Sequence, residues 1–238
     1  MNNKAFVAGA TGYTGRQVVC TLREAGIPTV AHIRPDSPQL TKNKEFFEGI
    51  GSTVDTTPWN PHALAQTLTT YSPSLVFGLL GTTRKRARAA LKAGLDPNEQ
   101  SYEHVDFGYT AMLIDAANKL PIPPRFTYLS SLGVHSNAKG AYLQARWKAE
   151  EHLIKSGLPY IIARPSFITG EDREENRPLE RLGALVVDSA LSLTHLIGAG
   201  SLKQRYGSTT GAKLAASLVR LSLEPQAANR VFESQALH

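Results

Sequence analysis

The sequence predicts an α/β protein built on a doubly wound, mainly parallel sheet. Short apolar runs that suit buried strands alternate with amphipathic helical segments along most of the 238 residues. A glycine-rich turn at residues 9–15 joins the first apolar run to the first helical segment. Because parallel strands need helical crossovers, this alternation favours a sheet with helices on both faces.

The first elements form a βαβ unit. Residues 5–8 make a short apolar strand, apolar positions recur at helical spacing after the glycine turn, and Gly26 is suited to end that helix. A second strand is predicted at residues 29–33. Further strands are predicted at 75–80, 126–130 and 160–163, with helices near 61–70, 104–119, 140–156 and 211–223 and a proline-rich loop at 121–124.

We expect one domain over residues 1–238, to which residues 166–210 contribute a small C-terminal substrate lobe. The apolar stretch 182–200 contains charge and glycine, so it predicts a buried or lid helix and not a membrane span. Several apolar side chains near this lobe suit either a substrate pocket or the core: Phe167, Ile168, Leu182, Leu185 and Val186.

The glycine turn is typical of a dinucleotide loop at the first turn of a Rossmann sheet. Glycines let the backbone approach a pyrophosphate, and the first amides of the following helix offer N–H donors and partial positive charge. The spacing is GxxGxxG, a variant of the GxGxxG fingerprint, and a plain strand-to-helix turn is the alternative interpretation. The predicted cofactor residues are Gly9, Thr11, Gly12, Tyr13, Thr14 and Gly15.

Arg34 predicts a preference for NADP over NAD. It follows the second strand, where an NAD site often places an acidic residue for the ribose 2′-hydroxyl. A guanidinium there can pair with the 2′-phosphate of NADP in bidentate fashion. An ordinary exposed arginine, with Asp36 facing the ribose, is the alternative.

Composition argues against several other classes of protein. The net charge is +6, but the basic residues are mostly dispersed without aromatic interleaving, so we expect no nucleic-acid partner. The basic run at 84–88 is interpreted as a solvated face that adds positive potential near the cofactor. Cys20 is alone and the seven histidines show no metal-ligand spacing, so no metal is expected. The N-terminus leads straight into a strand, which predicts a cytoplasmic protein with no membrane partner.

A second group of polar residues lies further along the chain. The strand at 126–130 ends in Ser130 and Ser131, at the carboxyl edge where doubly wound sheets build their sites. Tyr142 follows within the next helix, and Arg146 shares its helix face four residues later. Alone, these residues also suit a strand end and a packing tyrosine; their joint placement favours a catalytic site.

At these residues the sequence resembles the atypical branch of the short-chain dehydrogenase/reductase superfamily. It is similar in particular to the HIV Tat-interactive protein oxidoreductase group, and NmrA-like proteins are further relatives. The resemblance rests on a set of segments that are weak singly and specific together: residues 9–15, 79–84, 105–106, 130–131, the helix of Tyr142, 164–166 and 172–178.

The resemblance implies an NADP-type cofactor and a Ser, Tyr, Lys catalytic group carried onto Ser131, Tyr142 and position 146. The tyrosine would give or take the proton during hydride transfer, and the serine would hold the substrate oxygen. The lysine would contact the nicotinamide ribose and lower the tyrosine pKa. Further cofactor contacts are implied at two strand ends: Gly81, Thr82, Pro165 and Ser166.

The chain departs from that pattern because residue 146 is Arg. A guanidinium keeps the positive charge but is wider and a poor proton relay. Lys148 lies roughly 120° around the helix from Tyr142, so we expect it at the surface, with Glu151 or His152 as its candidate partner.

Two functions follow as hypotheses. The first is an NADPH-dependent reductase of a small carbonyl or quinone-like substrate, which the placement of Ser131 and Tyr142 favours. The second is an NADP(H)-binding sensor or interaction protein with little turnover, which the arginine at position 146 favours. Both a monomer and a homodimer are compatible with the sequence.

Overall fold

The computed structural model describes residues 3–82, 88, 90–92, 94, 96–166, 168–169 and 209–237. Its strands are β1 (Ala5–Ala8), β2 (Thr29–His32), β3 (Thr53–Asp55), β4 (Leu75–Gly78), β5 (Arg125–Leu129), β6 (Tyr160–Arg164), β7 (Ile168–Thr169), β8 (Thr209–Thr210) and β9 (Arg230–Glu233). Its labelled helices are α1 (Tyr13–Glu24), α2 (Leu40–Gly49), α3 (Pro61–Tyr71), α4 (Thr110–Asn118), α5 (Ala141–Ser156) and α6 (Gly211–Leu223). A π-helical segment, Tyr102–Tyr109, leads directly into α4.

The central sheet confirms the predicted doubly wound fold. Seven strands lie in the order β3-β2-β1-β4-β5-β6-β9, and all neighbouring pairs are parallel. The order reverses between β1 and β4, where sheets of this kind open a crevice at their carboxyl edge. β7 and β8 form a separate parallel pair.

Helices cover both faces of the sheet. α1 and α6 pack on one face through buried aliphatic residues such as Leu22 and Leu218. α3, α4 and α5 cover the other face through Leu68, Leu113 and Leu153. Burial of such side chains contributes roughly 1.5–3 kcal/mol each to the free energy of folding, so these two layers hold the strand ends in place.

The predicted elements agree with the structure apart from their ends, the unpredicted two-residue strands β7 and β8, and three further omissions. The strand predicted at 75–80 ends at Gly78, and the helix predicted at 104–119 begins as the π-helical segment. α2, β3 and β9 carry weak sequence signals. α2 buries just Asn43 and Phe47, while β3 and β9 are edge strands that each bury a single residue.

Part of the predicted C-terminal lobe lies outside the described residues. This applies to residues 170–208, and therefore to the predicted helix at 182–200 and to Leu182, Leu185 and Val186 of the predicted pocket. It applies also to Phe167 and to residues 84–87 of the basic run.

Candidate functional site

The glycine loop has the geometry of a close backbone turn. Gly9 has φ +84°, and a Cβ there would lie 2.5 Å from the carbonyl oxygen of Leu79. A Cβ on Gly15 would overlap the carbonyl of Gly9. Both positions therefore require glycine, because any side chain would force apart the end of β1, the start of α1 and the end of β4.

The N-terminus of α1 is open to an anion. Gly12 is the N-cap residue, no side chain caps the helix, and no acidic residue lies in its first turn. Backbone amides of this turn can therefore bind a phosphate, supported by the helix dipole. Of the other predicted loop residues, Thr11 is exposed and Thr14 is buried.

Tyr13 connects the glycine loop to the C-terminal part of the fold. Its ring lies against Gly211, the first residue of α6, where a Cβ would overlap the ring. The contact holds the loop against the strand pair β7–β8, since β8 runs directly into α6.

Arg34 lies two residues beyond β2, with its side chain 35% exposed. Its guanidinium is 3.4 Å from the carboxylate of Asp36. Another cation, Arg16 in the first turns of α1, had no signal of its own in the sequence; it stacks on Phe46 at 3.9 Å and donates to Asn43 at 2.9 Å. The ion pair between Arg34 and Asp36 is exposed and therefore weak, so Arg34 can leave Asp36 to contact a bound anion.

Arg146 is buried, with 3% of its surface exposed. Its Nη1 donates to the carbonyl of Leu129 at 2.6 Å and to the hydroxyl of Tyr128 at 3.2 Å. Its Nη2 donates to the carbonyl of Leu80 at 3.0 Å and lies 2.8 Å from Oδ1 of Asp106. The guanidinium thus joins the ends of β4 and β5.

Tyr142 is half-buried beside this guanidinium. The guanidinium carbon of Arg146 lies 5.3 Å from the centre of its ring, and Tyr102 packs edge-on against the same ring at 5.3 Å. The sequence-predicted pair therefore does come together on one helix face, at the carboxyl edge of the sheet.

The two halves of the site meet at Leu79 and Leu80. Gly9 abuts the carbonyl of Leu79, and Arg146 binds the carbonyl of Leu80. The glycine loop and the helix of Tyr142 are therefore separated by a single peptide unit of the chain after β4.

The two serines after β5 have different surroundings. Ser130 is buried and donates to Glu150 at 2.5 Å, and Glu150 is in turn paired with Arg164. Ser131 is half-buried, and its hydroxyl makes one long contact, 3.4 Å, to the carbonyl of Leu132. Of the two hydroxyls, Ser131 is the one that can turn towards a ligand.

Residues after β6 and β4 line the same edge. The carbonyl of Pro165 accepts from the amide of Leu132 at 3.0 Å, which keeps the segments after β5 and β6 together. Ser166 is held by Ser234, whose hydroxyl donates to Ser166 Oγ at 2.8 Å. Gly81 is half-buried and Thr82 is buried, directly after Leu80.

The predicted surface position of Lys148 is confirmed, but its predicted partner is wrong. Its Nζ lies 2.7 Å from Glu103, in the π-helical segment, and not beside Glu151 or His152. His152 instead pairs with Asp115 at 2.7 Å. The first pair links α5 to the π-helical segment, whose register is not visible in the sequence pattern, and the second pair links α5 to α4.

An aromatic cluster lies beyond the end of β2. His32 packs against Trp59 and Phe6, and its Nε2 contacts the carbonyl of Thr57 at 2.8 Å and lies 3.9 Å from Asp55. Burial lowers the pKa of His32, against smaller opposing effects of Thr57 and Asp55.

We expect His32 to make the fold sensitive to mild acid. Its pKa is lower in the folded than in the unfolded chain, so the unfolded chain takes up the proton first and stability falls as the pH drops below about 6.5. Urea unfolding at several pH values should show this slope. It should be reduced in His32→Gln and retained in His62→Gln, an exposed histidine; an unchanged slope in His32→Gln would contradict the assignment.

The described ranges hold neither a metal-binding cluster nor a membrane-spanning helix. No group of three or more His, Cys, Asp or Glu side chains is placed to hold a metal ion. No helix in that part of the chain combines the length and apolar character needed to cross a membrane.

Comparison with known proteins gives a consistent result. The family described as NAD(P)H-binding matches residues 9–192, a range that includes both the glycine loop and Tyr142. The chain is 24% identical over 226 residues to the mitochondrial protein FMP52 of Debaryomyces hansenii, covering 93% of this chain and 88% of the relative. It is 30% identical over 187 residues to the mitochondrial protein fmp52-1 of Aspergillus oryzae, covering 76% and 71%.

Among solved structures, the fold is similar to a triphenylmethane reductase of Citrobacter sp. complexed with NADP(H). The TM-score is 0.60 at 14% identity, over 97% of this chain and 69% of the reductase. At this identity the match shows a shared fold.

Proposed function

The chain belongs to the NAD(P)H-binding family, and from that membership and its site we propose that it is an NADPH-dependent oxidoreductase acting on a small carbonyl or quinone-like substrate. One observation carries the proposal. The glycine loop and Arg146, which lies beside Tyr142, contact adjacent carbonyls, those of Leu79 and Leu80. A cofactor bound on the loop would therefore extend towards the tyrosine.

The residues present fit a dinucleotide. The loop glycines leave no room for side chains, and the uncapped N-terminus of α1 suits the pyrophosphate. Arg34 would pair with a 2′-phosphate, while Gly81, Thr82, Pro165 and Ser166 would border the ribose and nicotinamide. When bound, NADPH supplies the hydride.

In this proposal the protein supplies proton transfer and orientation. Tyr142 donates a proton to the substrate oxygen, and Ser131 holds that oxygen by a hydrogen bond. Arg146 acts through Tyr142, because a positive charge near the ring favours the phenolate. No proton needs to pass through the guanidinium.

The proposal is tested by fluorescence titration of the protein with NADPH and, separately, NADH at the same salt concentration. We expect tight binding of NADPH and weaker binding of NADH. Absence of binding by either nucleotide would reject the reductase, because every later step needs the loop to hold the cofactor.

Arg34→Ala should weaken NADPH binding by roughly 10- to 100-fold, the usual effect of losing a charge-assisted hydrogen bond, and leave NADH binding nearly unchanged. The same titrations measure this. Arg220→Ala, which removes an exposed arginine of α6, is the matched control. An equal loss of affinity for both nucleotides would show that Arg34 does not bind the 2′-phosphate.

A second candidate function is an NADP(H)-binding sensor with little turnover. It is favoured by Arg146 itself, because a guanidinium cannot give up a proton near neutral pH, and this one is held by Leu80, Leu129, Tyr128 and Asp106. For either function, the cytoplasmic location remains a prediction from the sequence. The two FMP52 relatives are named as mitochondrial proteins.

Arg146→Lys separates the two functions. If the chain is a sensor, restoring the lysine should raise NADPH oxidation with quinone or carbonyl substrates above a parent with almost none. If it is a reductase adapted to arginine, the parent is active and the variant gains nothing, because an ammonium cannot bind both strand-end carbonyls and Tyr128 as the planar guanidinium does.

A further inference from the structure

Asp106 is a fully buried carboxylate inside the π-helical segment. Its Oδ2 accepts the backbone N–H of Thr82 at 2.9 Å, and its Oδ1 lies 2.8 Å from Nη2 of Arg146. One side chain thus contacts the segment after β4, on the cofactor side, and the arginine that lies beside Tyr142.

The charge of Arg146 is balanced by this carboxylate. A buried guanidinium requires a counter-charge as well as hydrogen bonds, because burial of an unpaired ion is strongly unfavourable. Within the described ranges, Asp106 is the acidic group paired with Arg146; its other partners are neutral oxygens of Leu80, Leu129 and Tyr128. Burial raises the pKa of the Tyr128 hydroxyl, so that group stays neutral.

The π-helical segment explains how Asp106 reaches this position. π-helical turns are rare and occur often at functional sites. Here the segment also contacts Tyr142 directly, because Tyr102 at its start packs against the Tyr142 ring. Tyr109 at its end stacks on Trp59, with ring centres 4.7 Å apart. The segment is therefore fixed at both ends, with Asp106 between them.

We propose that Asp106 is a positioning residue that sets the charge Arg146 presents to Tyr142 and links it to the cofactor-side segment of Gly81 and Thr82. This proposal rests on the proposed function, in which Tyr142 is the proton donor. One carboxylate contacts both Thr82 and Arg146. A cofactor that contacts Thr82 would therefore also affect the position of the charge beside Tyr142.

The proposal makes opposite predictions for the two partners of the ion pair. Asp106→Asn keeps an oxygen for the Thr82 amide but removes the negative charge, so the pH midpoint of Tyr142 ionisation should fall by about one unit. Arg146→Met removes the positive charge and leaves the carboxylate, so the midpoint should rise. A purely structural role would give no such change of sign.

The midpoint is measured from the ultraviolet absorbance of phenolate, as the difference between each variant and the same variant carrying Tyr142→Phe. Asp115→Asn, which removes an exposed carboxylate of α4, is the matched control and should leave the midpoint unchanged. This readout needs neither NADPH nor turnover. An inactive protein whose midpoints move as predicted would therefore defeat the proposed function alone, whereas midpoints that stay or move in the same direction would overturn the role of Asp106.

The double variant Asp106→Asn with Arg146→Met covers the case in which Asp106→Asn does not fold. It leaves no unpaired charge, so its melting temperature should recover most of what Asp106→Asn loses. We expect it to bind NADPH yet to remain slow in NADPH oxidation with 9,10-phenanthrenequinone. Recovery of full turnover together with stability would show that the pair is merely structural and would overturn the proposal.

Discussion

Tyr142→Phe should give a folded protein that binds NADPH as tightly as the wild type but turns over roughly two to four orders of magnitude more slowly. The variant loses the phenolic proton while keeping the ring that packs against Tyr102 and lies beside Arg146. Binding and chemistry should therefore separate.

The measurement is NADPH oxidation with saturating substrate, accompanied by the NADPH titration. Tyr102→Phe is the matched control, because it removes a hydroxyl from the partner ring of the same aromatic pair. Equal turnover in Tyr142→Phe and the wild type would remove Tyr142 from the chemistry. A parallel loss in Tyr102→Phe would point to the packing of the pair instead.

Gly15→Ala should weaken NADPH binding by about 100-fold, the size expected when an extra methyl group is forced into a closed space. Its Cβ would overlap the carbonyl of Gly9, so Gly9 and the start of α1 must move apart. Gly49→Ala is the matched control, since a Cβ there meets nothing within 4 Å. Tight NADPH binding by Gly15→Ala would mean that the cofactor does not rest on this loop.

The sequence was sufficient for the fold because its strongest signals are local. The strand Ala5–Ala8, the glycine turn and the helix Gly211–Leu223 are each specified by apolar periodicity and punctuating glycines. β3 and β9 could not be predicted in this way, because a short edge strand that buries one residue has no clear apolar periodicity. The π-helical register was equally hidden, because the apolar pattern of this segment does not distinguish it from an α-helix.

The proximity of Tyr142 and Arg146 could be predicted from the sequence, but the contacts around them could not. Spacing alone placed Tyr142 and Arg146 on one helix face, and the structure brings them together. The partners of Arg146 could not be foreseen, because Leu80, Asp106 and Leu129 come from three separate elements. The same holds for Glu150, whose acceptance of both Ser130 and Arg164 depends on tertiary contacts.

The binding edge depends on residues that come after the rest of the site in the chain. β9 pairs with β6, Glu233 lies 3.1 Å from Arg164, and Ser234 holds Ser166. On a ribosome, the glycine loop, Tyr142 and Ser131 all emerge before these residues. The pairing of β6 with β9 and the contact between Ser166 and Ser234 can therefore form only after residues 230–234 have been synthesised, later than the glycine loop and the helix of Tyr142.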